Sequence, residues 1–315
     1  MKFHFKTKMR ILVLGGSGMV GKNLQDFVKN DSENEWYFAN RSDADLTNYK
    51  QVEILFEKYN PTHAINLAAY VGGLYINMSN GVEFFEKNIL INMNVMKASI
   101  HLEKLVSVMS TCIFPDNVEY PITENKLHLG SPHSSNEGYS YAKRMIDVMS
   151  RSYNKEYGTN YVSIIPGNLY GPYDNFNLTD AHVIPALIHK IHLAKSSGEP
   201  LTIFGTGNAK RQFTHSFDLA KYLVWVLLNY NENDPLIISS EDEYSISDIV
   251  GILCTEINYH GNVIYDNSKS DGQIKKTISI EKLKRLNSNV HFRSIENGLK
   301  ETVEWFSKNI ETCRK

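Results

Sequence analysis

Cysteine is scarce: three in 315 residues, at Cys112, Cys254 and Cys313. So few and so scattered, they exclude a disulfide framework, and no pair has zinc-ligand spacing. That usage suits a reducing cytosol. Charge of one sign is also lacking, since 33 Lys and Arg meet 35 Asp and Glu for a net charge of -2. The balance leaves no electrostatic footprint for bulk nucleic acid or an anionic membrane surface, although a few basic residues suffice for one diphosphate. No apolar run reaches the roughly 18 residues of a membrane span. The basic start, Met1 to Met9, leads into Ile11 to Leu14, which breaks at Gly15 and is too short for a signal peptide. Internal repeats and low-complexity linkers are absent. What is present is 42% hydrophobic and 11% aromatic residues, enough for a substantial core. The expectation is a soluble cytoplasmic protein that binds neither nucleic acid nor membrane.

The first half alternates short apolar runs with helical patterns. Strands are expected at Met9 to Leu14, Glu35 to Ala39, His63 to Ala69, Leu105 to Met109 and Tyr161 to Ile165. Helices are expected from after the first strand to Val28, over Val82 to Leu102 and over Tyr139 to Tyr157. This rhythm predicts βαβ units and a doubly wound, Rossmann-type parallel sheet of the α/β class. Beyond Pro166 come Gly, Asn and Asp-rich loops. Short strands near Leu201, Leu236 and Asn262 then alternate with helices near His182, Ser216, Ser247 and Ile295. The division expected is a dinucleotide-binding domain over residues 1–170 and a smaller α/β substrate lobe over 171–315, with the chain crossing between them.

Gly15-Gly-Ser-Gly18-Met19-Val20-Gly21 lies directly between the first strand and the first helix. Glycine permits the tight turn and lets backbone N–H groups approach a pyrophosphate at the positive helix N-terminus. The context predicts dinucleotide binding by this loop. The second strand ends in Ala39-Asn-Arg41-Ser42, with no acid at its tip to accept from a ribose 2′-OH. Arg41 instead can neutralise a 2′-phosphate, which favours NADP(H), or it is a solvated surface residue. Asp45 is placed for an adenine contact or for capping the next helix.

Tyr139 and Lys143 stand four residues apart on one helix face, and Ser110 follows the fourth strand, where open α/β sheets build their sites. A cation beside a phenol favours the phenolate, so Lys143 can tune Tyr139 while reaching a nicotinamide ribose. Tyr141 is the internal rival, though it faces elsewhere on the helix. With the glycine loop, these residues resemble the short-chain dehydrogenases/reductases. A closer resemblance is carried by Ser110-Thr-Cys112-Ile-Phe-Pro115, Tyr139-Ser-Tyr-Ala-Lys143, Pro166-Gly-Asn168-Leu-Tyr-Gly-Pro172-Tyr-Asp-Asn-Phe176 and His182-Val-Ile-Pro-Ala-Leu187. These are similar to the GDP-L-fucose synthase family, over about Arg10 to Phe306.

That resemblance implies NADPH-dependent reduction of the C4 ketone of a GDP-4-keto-6-deoxy sugar, with 3,5-epimerisation. It implies Cys112 as base and His182 as acid in the epimerisation, and Tyr139, Ser110 and Lys143 in the reduction. Gly15, Gly18, Met19, Val20, Gly21, Arg41, Lys143, Asn168 and His182 would hold the cofactor. Lys190, Phe204, Arg211 and Lys276 would hold the GDP-sugar. A homodimer through a four-helix contact is also implied. Bland alternatives are a small buried thiol for Cys112, a helix-start cap for His182 and surface charges for Arg211 and Lys276. Departures from the family pattern are Ser17 for an arginine, Lys190 for an arginine, Gly167 for a threonine, Phe114 for a tyrosine and Phe204 for a tryptophan. They raise the alternative of a reductase alone, acting on a related GDP-linked 4-keto sugar such as a heptose.

Overall fold

The computed structural model describes residues 8–271 and 273–315. The first seven residues of the basic start, and Gly272, lie outside the described residues. In chain order the first half runs β1 (Arg10–Leu14), α1 (Met19–Val28), β2 (Glu35–Ala39), α2 (Tyr49–Tyr59), β3 (His63–Asn66), α3 (Leu74–Ser79), α4 (Gly81–Ala98), β4 (Lys104–Val108), α5 (Glu137–Tyr157) and β5 (Tyr161–Pro166). It continues with β6 (Asn168–Tyr170), α6 (Val183–Ser197), β7 (Leu201–Phe204), β8 (Lys210–His215), α7 (Ser216–Asn229) and β9 (Leu236–Ile238). The chain closes with β10 (Glu243–Ser245), α8 (Ile246–Ile257), β11 (Val263–Asp266), α9 (Glu281–Leu286) and α10 (Ile295–Asn309).

Six strands form one parallel sheet in the order β2-β1-β3-β4-β5-β9. Ile11 to Leu14, Ala64, Ile65, Leu105 and Val106 are wholly buried, as expected of central parallel strands covered on both faces. β2 lies on one side of β1 and β3 on the other, so the strand order reverses beside β1 and opens a crevice at the strands' carboxyl ends. The doubly wound fold expected from the alternating pattern is the fold observed.

A second hydrophobic core gathers Tyr170, Phe176, Ile184, Ile188, Phe213, Leu253, Leu299 and Phe306. It lies against two small sheets, β10-β8-β6 and β11-β7. The chain returns to the first core through Leu219, Leu223 and Ile237 before joining the second again. Polar contacts between α1 and the chain after β6 join the two cores, one of them buried and one exposed. Asn23 Nδ2 of α1 donates to Pro172 O at 3.0 Å, and Tyr173 Oη donates to Asp26 at 2.9 Å.

Local expectations differ from the structure where capping or short pairing decides. The strand predicted through Ala69 stops at Asn66, whose Oδ1 turns back to accept from Ala68 N. Asn48 rather than Asp45 caps α2, because its side chain accepts from Lys50 N and Gln51 N. Helix α2 and strands β6, β8 and β10 escaped the pattern reading. β6 and β10 have three residues each, and β8 opens on exposed Lys210 and runs into four consecutive buried residues, so none of the three shows alternation to find. No helix of the described residues is long and apolar enough to cross a membrane.

Candidate active site

Register aligns the carboxyl ends of the central strands. Leu14 pairs with Ala39 on one side and Asn66 on the other, and Asn66 with Ser107. The residues that follow, Gly15, Arg41 and Ser110, therefore emerge at one edge of the sheet, at the reversal of strand order. Three glycines there have three different neighbours. Gly15 holds φ +83°, and a Cβ on it would lie 2.9 Å from Ala68 N. A Cβ on Gly21 would lie 2.6 Å from the carbonyl oxygens of both Gly15 and Gly16. Both are required by the fold itself. Gly18 is different, since the only atom near its Cβ position is Gly15 O at 3.4 Å.

Gly18 is also the N-cap of α1 and supplies no side chain to the first amides of Met19 and Val20. The space beside it and the unsatisfied helix start make a cradle that an anionic pyrophosphate fits. Arg41 stands exposed beyond β2, on an Asx turn in which Asn40 Oδ1 accepts from Ser42 N and Oγ at 2.8 and 2.7 Å. Its charge helps hold the Asp45 carboxyl below the usual range, after the Thr47 hydrogen bonds that dominate.

The chain after β4 tightens into a 3-10 turn, Thr111–Ile113, capped by Ser110, whose Oγ accepts from Cys112 N at 3.5 Å. The same hydroxyl lies close enough to the Tyr139 phenol to lower its pKa. Phe84 meets the Tyr139 ring edge-on at 6.5 Å and is itself packed on Tyr70 at 4.8 Å. Burial pushes the phenol's pKa up, the Cys112 charge adds to that, and only the nearby Ser110 hydroxyl opposes it. The expected depression by Lys143 is not what this arrangement provides. Lys143 Nζ donates instead to Val108 O at 2.9 Å, and burial pushes its own pKa down to about 8. Tyr141 is removed as a rival, because its hydroxyl turns to Ser131 Oγ at 3.3 Å and its ring lies under Arg144.

Cys112 is half-buried and acts electrostatically on Tyr139, Lys143 and Lys276, so the structure brings these four together with Ser110. Lys276 and Arg211 oppose one another's charge, and burial lowers the pKa of both. Neither takes part in an ion pair within 4.0 Å among the described residues. Lys190 Nζ sits 4.0 Å from the Phe204 ring centroid, a cation–π pair in which Phe204 stays half exposed. The four substrate candidates thus fall into two pairs.

His182 is the N-cap residue of α6, but its side chain makes no capping bond. The ring remains open to solvent while protein crowds it closely. Desolvation lowers its pKa, and Asp180 opposes that. No direct contact joins His182 to the Cys112 group. Asn168 Nδ2 is spent on Gln212 O at 3.0 Å. The glycine before it is explained by packing: a Cβ on Gly167 would lie 2.3 Å from Ser239 Oγ and 2.8 Å from Thr214 Oγ1. Phe114 is buried in the first core.

Two residues were missed. Arg144, next to Lys143, is buried and gives its guanidinium to backbone carbonyls of Ile113 and Gly130. Asp271 accepts from Thr206 N and Oγ1 at 2.7 and 2.8 Å, tying the segment before Lys276 to the β7–β8 loop. Neither carries a sequence signal, since both act through backbone or hydroxyl groups distant in the chain.

The division of labour among the glycines is testable. Gly18→Ala is expected to keep the wild-type urea midpoint and to weaken NADPH binding about 10- to 100-fold. Gly21→Ala is expected to lose about 1–3 kcal/mol of stability. Equal denaturation losses in both variants would remove the assignment of Gly18 to ligand rather than fold.

Comparison with known proteins agrees with this geometry. Residues 11–239 match the model of the NAD dependent epimerase/dehydratase family. A GDP-L-fucose synthase of Dictyostelium discoideum is 52% identical, covering 98% of this chain and 98% of its own length. A crystal structure of a GDP-L-fucose synthetase from Naegleria fowleri bound to NADP superposes with a TM-score of 0.93 at 42% identity, covering 97% of this chain and 94% of the other. A GDP-mannoheptose C4 reductase from Campylobacter jejuni with NADP bound gives 0.86 at 25% identity, over 96% and 99% of the two chains. A family model over most of the chain and a relative 52% identical along nearly its whole length agree with the sheet reversal and the glycine cradle: the chain belongs to the NAD dependent epimerase/dehydratase family, on its GDP-L-fucose synthase branch.

Proposed function

We propose that this chain is an NADP(H)-dependent GDP-4-keto-6-deoxy-sugar epimerase and 4-reductase, a GDP-L-fucose synthase in activity. The observation that carries the reading is the gathering of Ser110, Cys112, Tyr139 and Lys143 at the carboxyl edge of the sheet. Similarity to GDP-L-fucose synthases exceeds that to the heptose reductase by a wide margin. The heptose alternative, raised by the departures at Lys190, Phe204 and Gly167, is correspondingly weaker. Gly167 in particular follows from Ser239 and Thr214 and says nothing of the sugar.

When bound, NADPH supplies the hydride that reduces the C4 ketone. The chain's own groups do the rest. Tyr139 Oη hands its proton to the carbonyl oxygen: burial raises the phenol's pKa and keeps it protonated, and the alkoxide forming at C4 is the stronger base that takes the proton. Ser110 Oγ hydrogen-bonds the same oxygen as charge develops. Before reduction, a C4 ketone acidifies the protons on C3 and C5 by delocalising the carbanion into an enolate. Cys112 removes a proton and His182 returns one on the opposite face; desolvation lowers the imidazole's pKa, which makes its protonated form the stronger acid. Arg211 and Lys276 meet the diphosphate, and Lys190 with Phe204 borders the nucleotide. Gly15, Gly18, Met19, Val20, Gly21 and Arg41 hold the dinucleotide, the last at the 2′-phosphate, and Lys143, Asn168 and His182 border its nicotinamide end.

The division at about residue 170 into a dinucleotide domain and a substrate lobe is supported by the two separate cores, with residues 216–238 returning to the first. Three free cysteines support work in the reducing cytosol. A homodimer is supported by Val82, Phe85, Leu90 and Met93 of α4 and Val148 of α5, all exposed. Sedimentation should give about twice the 36.0 kDa chain mass; a single monomeric species at micromolar concentration would refute it.

Tyr139→Phe is expected to bind NADPH normally and to lose about 10²- to 10⁴-fold in reduction. Cys112→Ser, incubated with GDP-4-keto-6-deoxy-mannose in deuterium oxide, is expected to lose incorporation at C3 and C5 while still reducing an already epimerised ketone. Near-normal turnover by the first variant, or unchanged exchange by the second, would overturn the roles. Because Lys143 carries its charge only below about pH 8, kcat/KM is expected to fall about tenfold per pH unit above that point. A flat profile from pH 7 to 10 would leave the lysine's charge without a part.

A further inference from the structure

Helix α5 grips the segment after β4 at both ends. Lys143 Nζ holds Val108 O, two residues before Ser110. Its sequence neighbour Arg144 holds Ile113 O, the residue after Cys112, through Nε at 2.8 Å and through Nη2. Arg144 Nη1 also takes Gly130 O at 2.8 Å, across the loop that leaves the turn. Arg144 is 4% exposed, and its partners are neutral carbonyls; no carboxylate lies within ion-pair reach of it among the described residues. A buried guanidinium without a carboxylate is costly. A neutral donor would satisfy the carbonyls with less expense, so the retained charge calls for a reason.

We propose that Arg144 is a positioning residue for Cys112, fixing the 3-10 turn that carries the thiol and supplying the uncompensated positive charge beside it. This rests on the function proposed above, in which Cys112 is the epimerisation base. The geometry is direct. Thr111–Ile113 is a single turn whose internal bonds, Ile113 N to Ser110 O at 3.2 Å and Phe114 N to Thr111 O at 3.3 Å, are few and long. Short turns of this kind hold their shape poorly alone. A forked cation on the terminal carbonyl closes the turn as a cap closes a helix, and its planar fork fixes direction as well as distance. The thiolate of Cys112 in turn favours the charged form of Arg144, so the attraction runs between the base in its active state and the clamp.

The other groups bearing on this site are Lys143, Tyr139, Tyr141 and, from the loop before α9, Lys276. Lys276 has a place on the substrate diphosphate in the proposed reading. Arg144 is held away from the ligand by backbone, so its charge persists when substrate is bound.

The test compares Arg144→Lys with Arg144→Gln in the full-length protein. Two measurements are made: solvent deuterium entering C3 and C5 of GDP-4-keto-6-deoxy-mannose, and the pH profile of iodoacetamide alkylation at Cys112, followed on its own peptide by mass spectrometry. Arg144→Gln is expected to lose about tenfold or more in exchange, with a smaller loss in reduction of the epimerised ketone, and to move the alkylation midpoint up by about one pH unit. Arg144→Lys, which keeps charge but not the fork, is expected to restore the midpoint and leave exchange impaired. Equal losses of exchange and reduction in both variants, or an alkylation profile unmoved in Arg144→Gln, would overturn the assignment. If Arg144→Gln does not fold, wild-type exchange in Arg144→Lys is enough to reject the fork. Should the wild-type protein itself exchange no deuterium, the epimerase reading fails rather than this one.

Discussion

A buried ammonium on one backbone carbonyl, Lys143 on Val108, joins the long helix α5 to the end of strand β4. The contact is expensive, as the fall of the lysine's pKa to about 8 records. Its return is alignment. Tyr139 lies one helical turn before Lys143, so fixing the lysine fixes the phenol's height above the sheet edge. Ser110 lies two residues beyond Val108, so the same contact sets the hydroxyl that meets the phenol. One carbonyl thereby brings a strand end and a helix face into register. Phe84 needs only to close the side of the ring that α5 leaves open.

The glycine loop solves a related problem with opposite means. There the fold excludes side chains so that backbone can approach backbone: Gly15 against the chain after β3, and Gly21 against Gly15 and Gly16. Crowding at these two positions brings α1 close to the sheet with its first amides facing the crevice. The open position at Gly18 is the product of that crowding. The phosphate cradle and the Ser110–Tyr139 pair stand at one edge because parallel strands all end on the same side, and the reversal beside β1 leaves that edge uncovered.

Much of this was legible in the sequence because it is local. A glycine run between an apolar strand and an amphipathic helix, or a tyrosine four residues before a lysine, states its geometry within one turn of chain. The family likeness of the Cys112 and His182 segments supplied roles that spacing alone leaves open. What escaped was made by contacts distant in sequence. Nothing in the spacing singles out Arg144 beside Lys143 until the fold brings Ile113 and Gly130 over it. Asp271 reads as a loop acid until Gly205, at φ +82°, leaves room for its carboxylate. The electrostatics were misjudged for the same reason: proximity of Lys143 to Tyr139 along the helix suggested a depressed phenol, whereas burial, invisible in a spacing, raises it.

Arg211 and Lys276 extend that argument to binding. Two like charges, each penalised by burial and each repelling the other, are a cost that the free protein carries. Tyr120 marks where the cost is confined, since its hydroxyl holds Lys275 O at 2.6 Å while Arg211, Asp116 and Glu243 all act on it. A fold that fixes both cations through β8 and the segment tied down by Asp271 cannot separate them to relieve the strain. In the proposed function, a diphosphate diester lying between them brings one negative charge for each cation and relieves both penalties at once. Lys276 also acts on Cys112, so a diphosphate bound as the proposed function has it weakens that lysine's field at the thiol and leaves the field to Lys143 and Arg144, the two cations that α5 fixes on backbone carbonyls.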